Sequence, residues 1–101
     1  MKKIRDVIIK GNMLLGSVVT IVAILDFDLA SSDTIKITID DPSEIEKVVS
    51  VAMTELNDHT YRYEFQTLTT YDDGKWFSTI TVVSGGKTIV RQDMWNLDDQ
   101  E

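Results

Sequence analysis

Residues 41–59 read DPSEIEKVVSVAMTELNDH, and they decide the fold class that this sequence predicts. Asp41 is a suitable N-cap, Pro42 fits the first position of a helix, and Glu44 stands where a capping box places an acidic residue. Apolar side chains then recur at helical spacing and form one stripe. These signals predict a helix over about residues 42–58. The stripe consists of Ile45, Val48, Val49, Ala52 and Leu56.

The sequence after this helix predicts β-strands. Residues 61–66 alternate aromatic and polar side chains, which is the period-two pattern of a half-buried strand. Asp-Gly at residues 73–74 and Gly-Gly at residues 85–86 are two-residue hairpin signals. When both are treated as tight turns, Trp76 lies opposite Trp95 and aromatic and branched residues share one face. The second half of the chain is therefore expected to be an antiparallel meander.

The first half predicts three further strands, over about residues 3–10, 17–29 and 34–40. A helix over residues 2–15 is an alternative for the first of them, because apolar residues there also satisfy helical spacing. The complete prediction is one α+β domain over residues 1–101. It has about six strands in βββ-α-βββ order, arranged as one antiparallel sheet or two small ones, with the central helix packed on the sheet.

Composition argues against catalysis and metal binding. The chain has 17 acidic residues, 10 basic residues, one histidine and no cysteine, for a formal net charge of -7. The lack of cysteine excludes disulfides and thiolate metal sites, and His59 is expected to lie on the surface or at the end of the predicted helix. Asp26 and Asp28 lack the ligand register of a calcium loop. We predict a protein that is not an enzyme, holds no metal or cofactor and does not bind nucleic acid directly.

An uncharged run follows the basic N-terminus. Residues 11–25 carry no charge, but the run is shorter than the roughly 20 apolar residues of a membrane-spanning helix. We expect a buried strand here, in a protein of the host cytoplasm that does not contact a membrane. A signal peptide cleaved near Ala30 is the alternative.

Negative charge is concentrated in the middle of the chain. Residues 26–46 contain seven acids and one base, Lys36, which is a local balance of -6. A surface of this kind attracts a basic partner, through binding that weakens as salt is added. We predict that these seven acids form the partner-binding surface: Asp26, Asp28, Asp33, Asp40, Asp41, Glu44 and Glu46.

A short, acidic, cysteine-free chain with this acidic stretch and an acidic tail resembles the small inhibitors encoded by phages and mobile elements, in particular the anti-CRISPR proteins. The resemblance implies a non-enzymatic inhibitor that masks a basic nucleic-acid-processing partner, such as a Cas effector or another nuclease. It also implies a mechanism in which carboxylates imitate the phosphates of a nucleic-acid duplex.

Two other classes of protein stay open at this point. One is a self-assembling structural subunit of a phage or mobile element, whose exposed sheet edge pairs with a copy of itself in a homodimer. The other is a small-ligand-binding domain or weak enzyme, with a pocket near Tyr71, Trp76 and Trp95.

Overall fold

The computed structural model describes residues 2–99, and these residues form strands, turns and loops with no helix. The predicted α+β class is therefore wrong, and the chain is all-β. Within the described residues no helix is present that could span a membrane. The eight strands are β1 (Ile4–Lys10), β2 (Val18–Leu25), β3 (Thr34–Asp40), β4 (Glu46–Ala52), β5 (Thr54–Asn57), β6 (Thr60–Gln66), β7 (Gly74–Ser84) and β8 (Lys87–Leu97).

The strands form two antiparallel four-stranded sheets. The first has the order β1-β2-β6-β5 and the second has the order β4-β3-β7-β8. In the lettering used for immunoglobulin-type sandwiches these orders are A-B-E-D and C′-C-F-G, so the architecture is a sandwich of that type. A short parallel bridge joins Leu14 to Asp98. The likeness to immunoglobulin-type sandwiches concerns strand order alone.

The predicted central helix is replaced by β4 and β5. Asp41 does accept hydrogen bonds from backbone N–H groups, those of Ser43 at 2.8 Å and Ile45 at 2.9 Å, but they close the turn between β3 and β4. Glu44 and Ser50 have φ angles of 65° and 51°, whereas a right-handed helix requires φ near about -60°. The capping signal was therefore correct as a local hydrogen-bonding pattern and wrong as a helix start.

One of the two expected hairpin turns is present. Residues 85–86 join β7 to β8, and Trp76 pairs with Trp95 as the register predicted. Residues 73–74 do not form a hairpin, because β6 and β7 belong to different sheets and residues 67–73 cross between them. The strand predicted over residues 34–40 is confirmed as β3. The N-terminal strand is confirmed too, and its helical alternative is wrong.

The hydrophobic core lies between the two sheets. Strands β2, β3 and β7 alternate buried and more exposed side chains along much of their length, so that each sheet presents one apolar face to the other. Four aromatic rings meet near one end of this core, with neighbouring centroids 5.7–6.2 Å apart. They belong to Phe65, Tyr71, Trp76 and Trp95.

Candidate partner-binding end

Four segments of the chain pack together at one end of the sandwich: residues 11–17, 41–45, 67–73 and 98–99. The backbone N–H of Gly16 donates to the hydroxyl of Thr67 at 2.9 Å. Gly74 packs closely against the ring of Pro42, since a Cβ atom at residue 74 would lie 3.4 Å from that ring. The backbone of Asp98 also bonds to Met13 and Leu15, at 3.0 Å and 2.9 Å. The loops thus form one continuous surface.

Carboxylates dominate this surface, which we name the acidic end. The described residues place eight acidic side chains here and three basic ones, Lys10, Lys47 and Lys75. Six of the acids are exposed. Like charges at this density repel one another. A basic surface would relieve this repulsion and would be attracted to the carboxylates. The eight acids are Asp40, Asp41, Glu44, Glu46, Asp72, Asp73, Asp98 and Asp99.

Of the four predicted acids at this end, one is buried and one is half-buried. Asp41 is only 2% exposed, and the ammonium of Lys47 lies 3.8 Å from its carboxylate. The same ammonium lies 5.0 Å from the centre of the Tyr71 ring. Asp40 is half-buried, and its Oδ1 atom has no hydrogen-bond partner among residues 2–99. Asp41 is therefore a structural residue, while the exposed Glu44 and Glu46 are free to meet a partner.

The remaining three predicted acids lie at the opposite end of the sandwich. Asp26, Asp28 and Asp33 belong to the loop between β2 and β3. They are separated from the acidic end by the whole of β3, a seven-residue strand that spans roughly 23 Å. The seven residues predicted as one surface are therefore divided into two groups at the two ends of the molecule.

Each acid of the β2–β3 loop has a partner within the fold. Asp26 accepts a hydrogen bond from the backbone N–H of Lys3 at 2.8 Å. The Nε2 atom of His59 lies 2.6 Å from Oδ1 of Asp28. His59 itself occupies the turn between β5 and β6 with φ of 66°, and not a helix end. Asp26 and Asp28 therefore hold the β2–β3 loop against neighbouring segments.

Asp33 ties the β2–β3 loop to the β7–β8 turn. Its carboxylate accepts hydrogen bonds from the backbone N–H of Ala30 at 2.9 Å and from the hydroxyl of Ser84 at 2.8 Å. These two bonds lower the pKa of Asp33 below its ordinary value of 3.8, and the bond from the Ala30 backbone has the larger effect. They favour the charged form because an ionised carboxylate is the stronger acceptor.

The lowered pKa of Asp33 predicts a pH-dependent contribution to stability. The unfolded chain binds a proton at Asp33 more readily than the native one, so this contribution is present above pH 3.8 and is lost as the pH falls through the native pKa. We expect Asp33→Asn to lower the melting temperature near neutral pH, and the difference from the unmodified protein to shrink in acid. Thermal unfolding followed by circular dichroism across this range measures it.

Asp58→Asn serves as the control for this experiment, because it makes the same charge change in the neighbouring β5–β6 turn. Its melting temperature should stay close to that of the unmodified protein throughout. A gap between Asp33→Asn and the unmodified protein that is constant with pH would contradict the assignment.

Of the aromatic residues expected to line a ligand pocket, Trp76 and Trp95 lie in the core and Tyr71 is half-buried against it. Trp76 is fully buried and Trp95 is 6% exposed, and their rings stack with centroids 5.7 Å apart. Tyr71 packs on Trp76 at the same distance. The rings therefore fill the space between the sheets. Across residues 2–99, no three His, Asp or Glu side chains are grouped so that they could hold a metal ion.

The edge strand β8 carries inward-pointing charges. Arg91 pairs across the hairpin with the buried Ile80, and its guanidinium makes two hydrogen bonds to Asp93, at 3.1 Å and 3.3 Å. The guanidinium also lies 3.9 Å from Asp6 on β1. Inward-pointing charges on an edge strand oppose its pairing with another chain. This arrangement is unfavourable to a self-assembling subunit that uses the β8 edge.

The seven acids predicted as the partner-binding surface omit half of the acidic end, although the acidic tail entered the resemblance to phage inhibitors. Adjacent acidic pairs stand in the sequence at residues 72–73 and 98–99, but nothing local places them at the same end of the sandwich as Glu44. Their proximity follows from two long-range features, the crossing of residues 67–73 between the sheets and the bridge that holds Asp98.

Comparison with known protein families and with curated proteins found no match. The candidate function therefore depends on the arrangement of residues in this chain.

Proposed function

We propose that this protein is a non-enzymatic binding domain that inserts its acidic end into a basic surface of a partner protein and thereby blocks it. The observation on which the proposal mainly rests is that acids from three separate segments, residues 40–46, 72–73 and 98–99, gather at one end of the sandwich. A basic surface of this kind is typical of proteins that process nucleic acid. A Cas effector or another nuclease of the host cytoplasm is the partner class that we propose.

The shape of the molecule supports insertion by one end. The extents along its principal axes are 45 × 24 × 19 Å, and the 11-residue strand β7, about 36 Å long, fits only along the longest axis. The acidic end, where the strands end, is therefore a narrow face of an elongated body. Exposed carboxylates on a narrow face can approach a concave basic surface, which focuses the field and raises the rate of association. The acids of the β2–β3 loop lie too far away to take part in the same contact.

The first test is a pull-down from nuclease-treated bacterial lysate that contains a Cas effector, eluted with a salt gradient. We expect a basic nucleic-acid-processing protein to be released as the salt concentration rises, because exposed charge pairs are screened by salt. Mass spectrometry identifies the protein. Recovery of the bait alone, or of partners whose binding is insensitive to salt, would contradict the proposal.

The second test compares two charge-reversed variants against the recovered partner. Glu44→Lys combined with Asp73→Lys reverses two exposed charges of the acidic end, and we expect its affinity to fall at least tenfold, which is about 1.4 kcal/mol. Glu55→Lys combined with Asp58→Lys makes the same change in net charge near the opposite end. Calorimetry should show this control binding within about twofold of the unmodified protein. Equal losses in both variants would mean that net charge alone matters.

A further inference from the structure

The two sheets leave a cleft at the end of the sandwich opposite the acidic end. It lies between residues 2–3, which precede β1, and the turn that joins β7 to β8. Strands β1 and β8 belong to different sheets, so no ladder of hydrogen bonds closes the molecule along this side. The cleft has a volume of about 670 Å³, within the range of small-molecule sites, about 300–1,000 Å³.

The charge of this cleft is opposite to that of the molecule as a whole. Among the described residues, three lysines and no acid line it, in a chain of net charge -7. Asp33 and Asp26 lie behind the wall, bonded to Ser84 and to the backbone of Lys3. The half-buried Ile89 adds an apolar side chain to the wall, and the neighbouring Thr88 also lines the cleft. The cleft thus combines ammonium groups with apolar surface. The lysines are Lys2, Lys3 and Lys87.

Lys2 is positioned by contacts with two other elements. Its ammonium donates to the hydroxyl of Ser84 at 3.1 Å and lies 5.2 Å from the centre of the Phe27 ring. The Ser84 hydroxyl in turn donates to Asp33 at 2.8 Å. A lysine ammonium has three donor hydrogens, so the bond to Ser84 leaves donors that can be directed at a ligand in the cleft.

The backbone beside Lys2 is also held in place. The N–H of Lys3 donates to the carboxylate of Asp26 at 2.8 Å, and the N–H of Asp26 donates to the carbonyl of Lys3 at 3.2 Å. This pair of bonds fixes residues 2–3 against the β2–β3 loop. The cleft is therefore largely formed before a ligand arrives, which lowers the entropic cost of binding.

We propose that this cleft binds an amphipathic anion, a carboxylate carried on an aliphatic chain. The carboxylate would meet the ammonium groups of Lys2, Lys3 and Lys87, and the aliphatic chain would lie along Ile89. The three lysines supply the charge complementarity that a neutral molecule of the same shape cannot use. The cleft and the acidic end lie at opposite ends of the molecule. The proposal of anion binding is therefore independent of the proposal of partner binding.

Titration with dodecanoate and with dodecanol tests this proposal, because the two probes share a chain length and differ in charge. We expect saturable binding of dodecanoate, followed by calorimetry below its micellar concentration, and at least tenfold weaker binding of dodecanol. Backbone amide resonances of residues 84–89 should shift, while those of the aromatic core should not. Circular dichroism checks that the protein stays folded with either probe.

Two double variants distinguish the effect of the cleft lysines on binding from the effect of net charge. Lys3→Glu combined with Lys87→Glu should weaken dodecanoate binding at least tenfold, since both side chains are exposed at the cleft. Lys10→Glu combined with Lys75→Glu makes the same charge change at the acidic end and should leave binding unchanged. The proposal is overturned by absence of dodecanoate binding, by equal binding of dodecanol, or by equal losses in the two variants.

Discussion

Replacement of Trp76 by alanine is expected to lower the free energy of unfolding by about 3–5 kcal/mol. The indole is fully buried, and its centroid lies 5.7 Å from that of Trp95 on its own sheet and 5.8 Å from that of Phe65 on the other. Its Nε1 atom donates to the carbonyl of Asp72 at 2.9 Å. Alanine would leave a cavity between the sheets, in a domain whose total stability is about 5–15 kcal/mol.

Urea denaturation followed by far-UV circular dichroism measures this loss, and the melting temperature should fall by about 4–8 °C for each kcal/mol. Met94→Ala is the control. Met94 lies on the adjacent strand β8 and is 54% exposed, so its truncation should change stability by no more than about 0.5 kcal/mol. If the two variants lost equal stability, Trp76 would not be a central core residue.

Asp41→Ala is expected to lower the free energy of unfolding by about 1–3 kcal/mol, because it removes two hydrogen bonds that each contribute about 0.5–1.5 kcal/mol. One Oδ1 atom accepts the backbone N–H groups of both Ser43 and Ile45. The substitution would leave both donors unpaired in the turn between β3 and β4, and would remove the carboxylate that lies 3.8 Å from Lys47.

Asp41→Asn separates the hydrogen bonds from the charge, because the amide oxygen of asparagine still accepts both N–H groups. It should recover most of the stability that alanine loses. Glu46→Ala, at an exposed position a few residues further along, should stay close to the unmodified protein. Chemical denaturation of the three variants checks this order. Equal losses for alanine and asparagine at residue 41 would show that charge, and not the turn, is what Asp41 contributes.

Strands with one buried face could be recognised from local pattern. In β3 the isoleucines at 35, 37 and 39 alternate with polar residues, and all three are buried. The pairing of Trp76 with Trp95 also followed locally, because a two-residue Gly-Gly turn fixes the register of the strands that it joins. In both cases the deciding interactions lie close together in sequence.

The stretch that predicted a helix shows where local pattern fails. Its apolar residues satisfied helical spacing, yet Ile45 is 56% exposed and Val49 is 60% exposed. Only Val48 of the predicted stripe lies in the core, where it pairs with Ile39 of β3. The β-branched residues of this stretch also favour strands, and the neighbouring strand β3 supplies the hydrogen-bond partners that a strand needs.

The charge, the absence of cysteine, most of the strands and the Gly-Gly hairpin all follow from local sequence. These properties belong to composition or to residues within a few positions of one another. Only in the folded molecule do β4 and β5 replace the predicted helix, the predicted acids divide between two ends, and residues 72–73 and 98–99 lie at the same end as Glu44. The physical reason is that pairing between strands and packing between sheets join residues distant in sequence, and these contacts override weak local preferences.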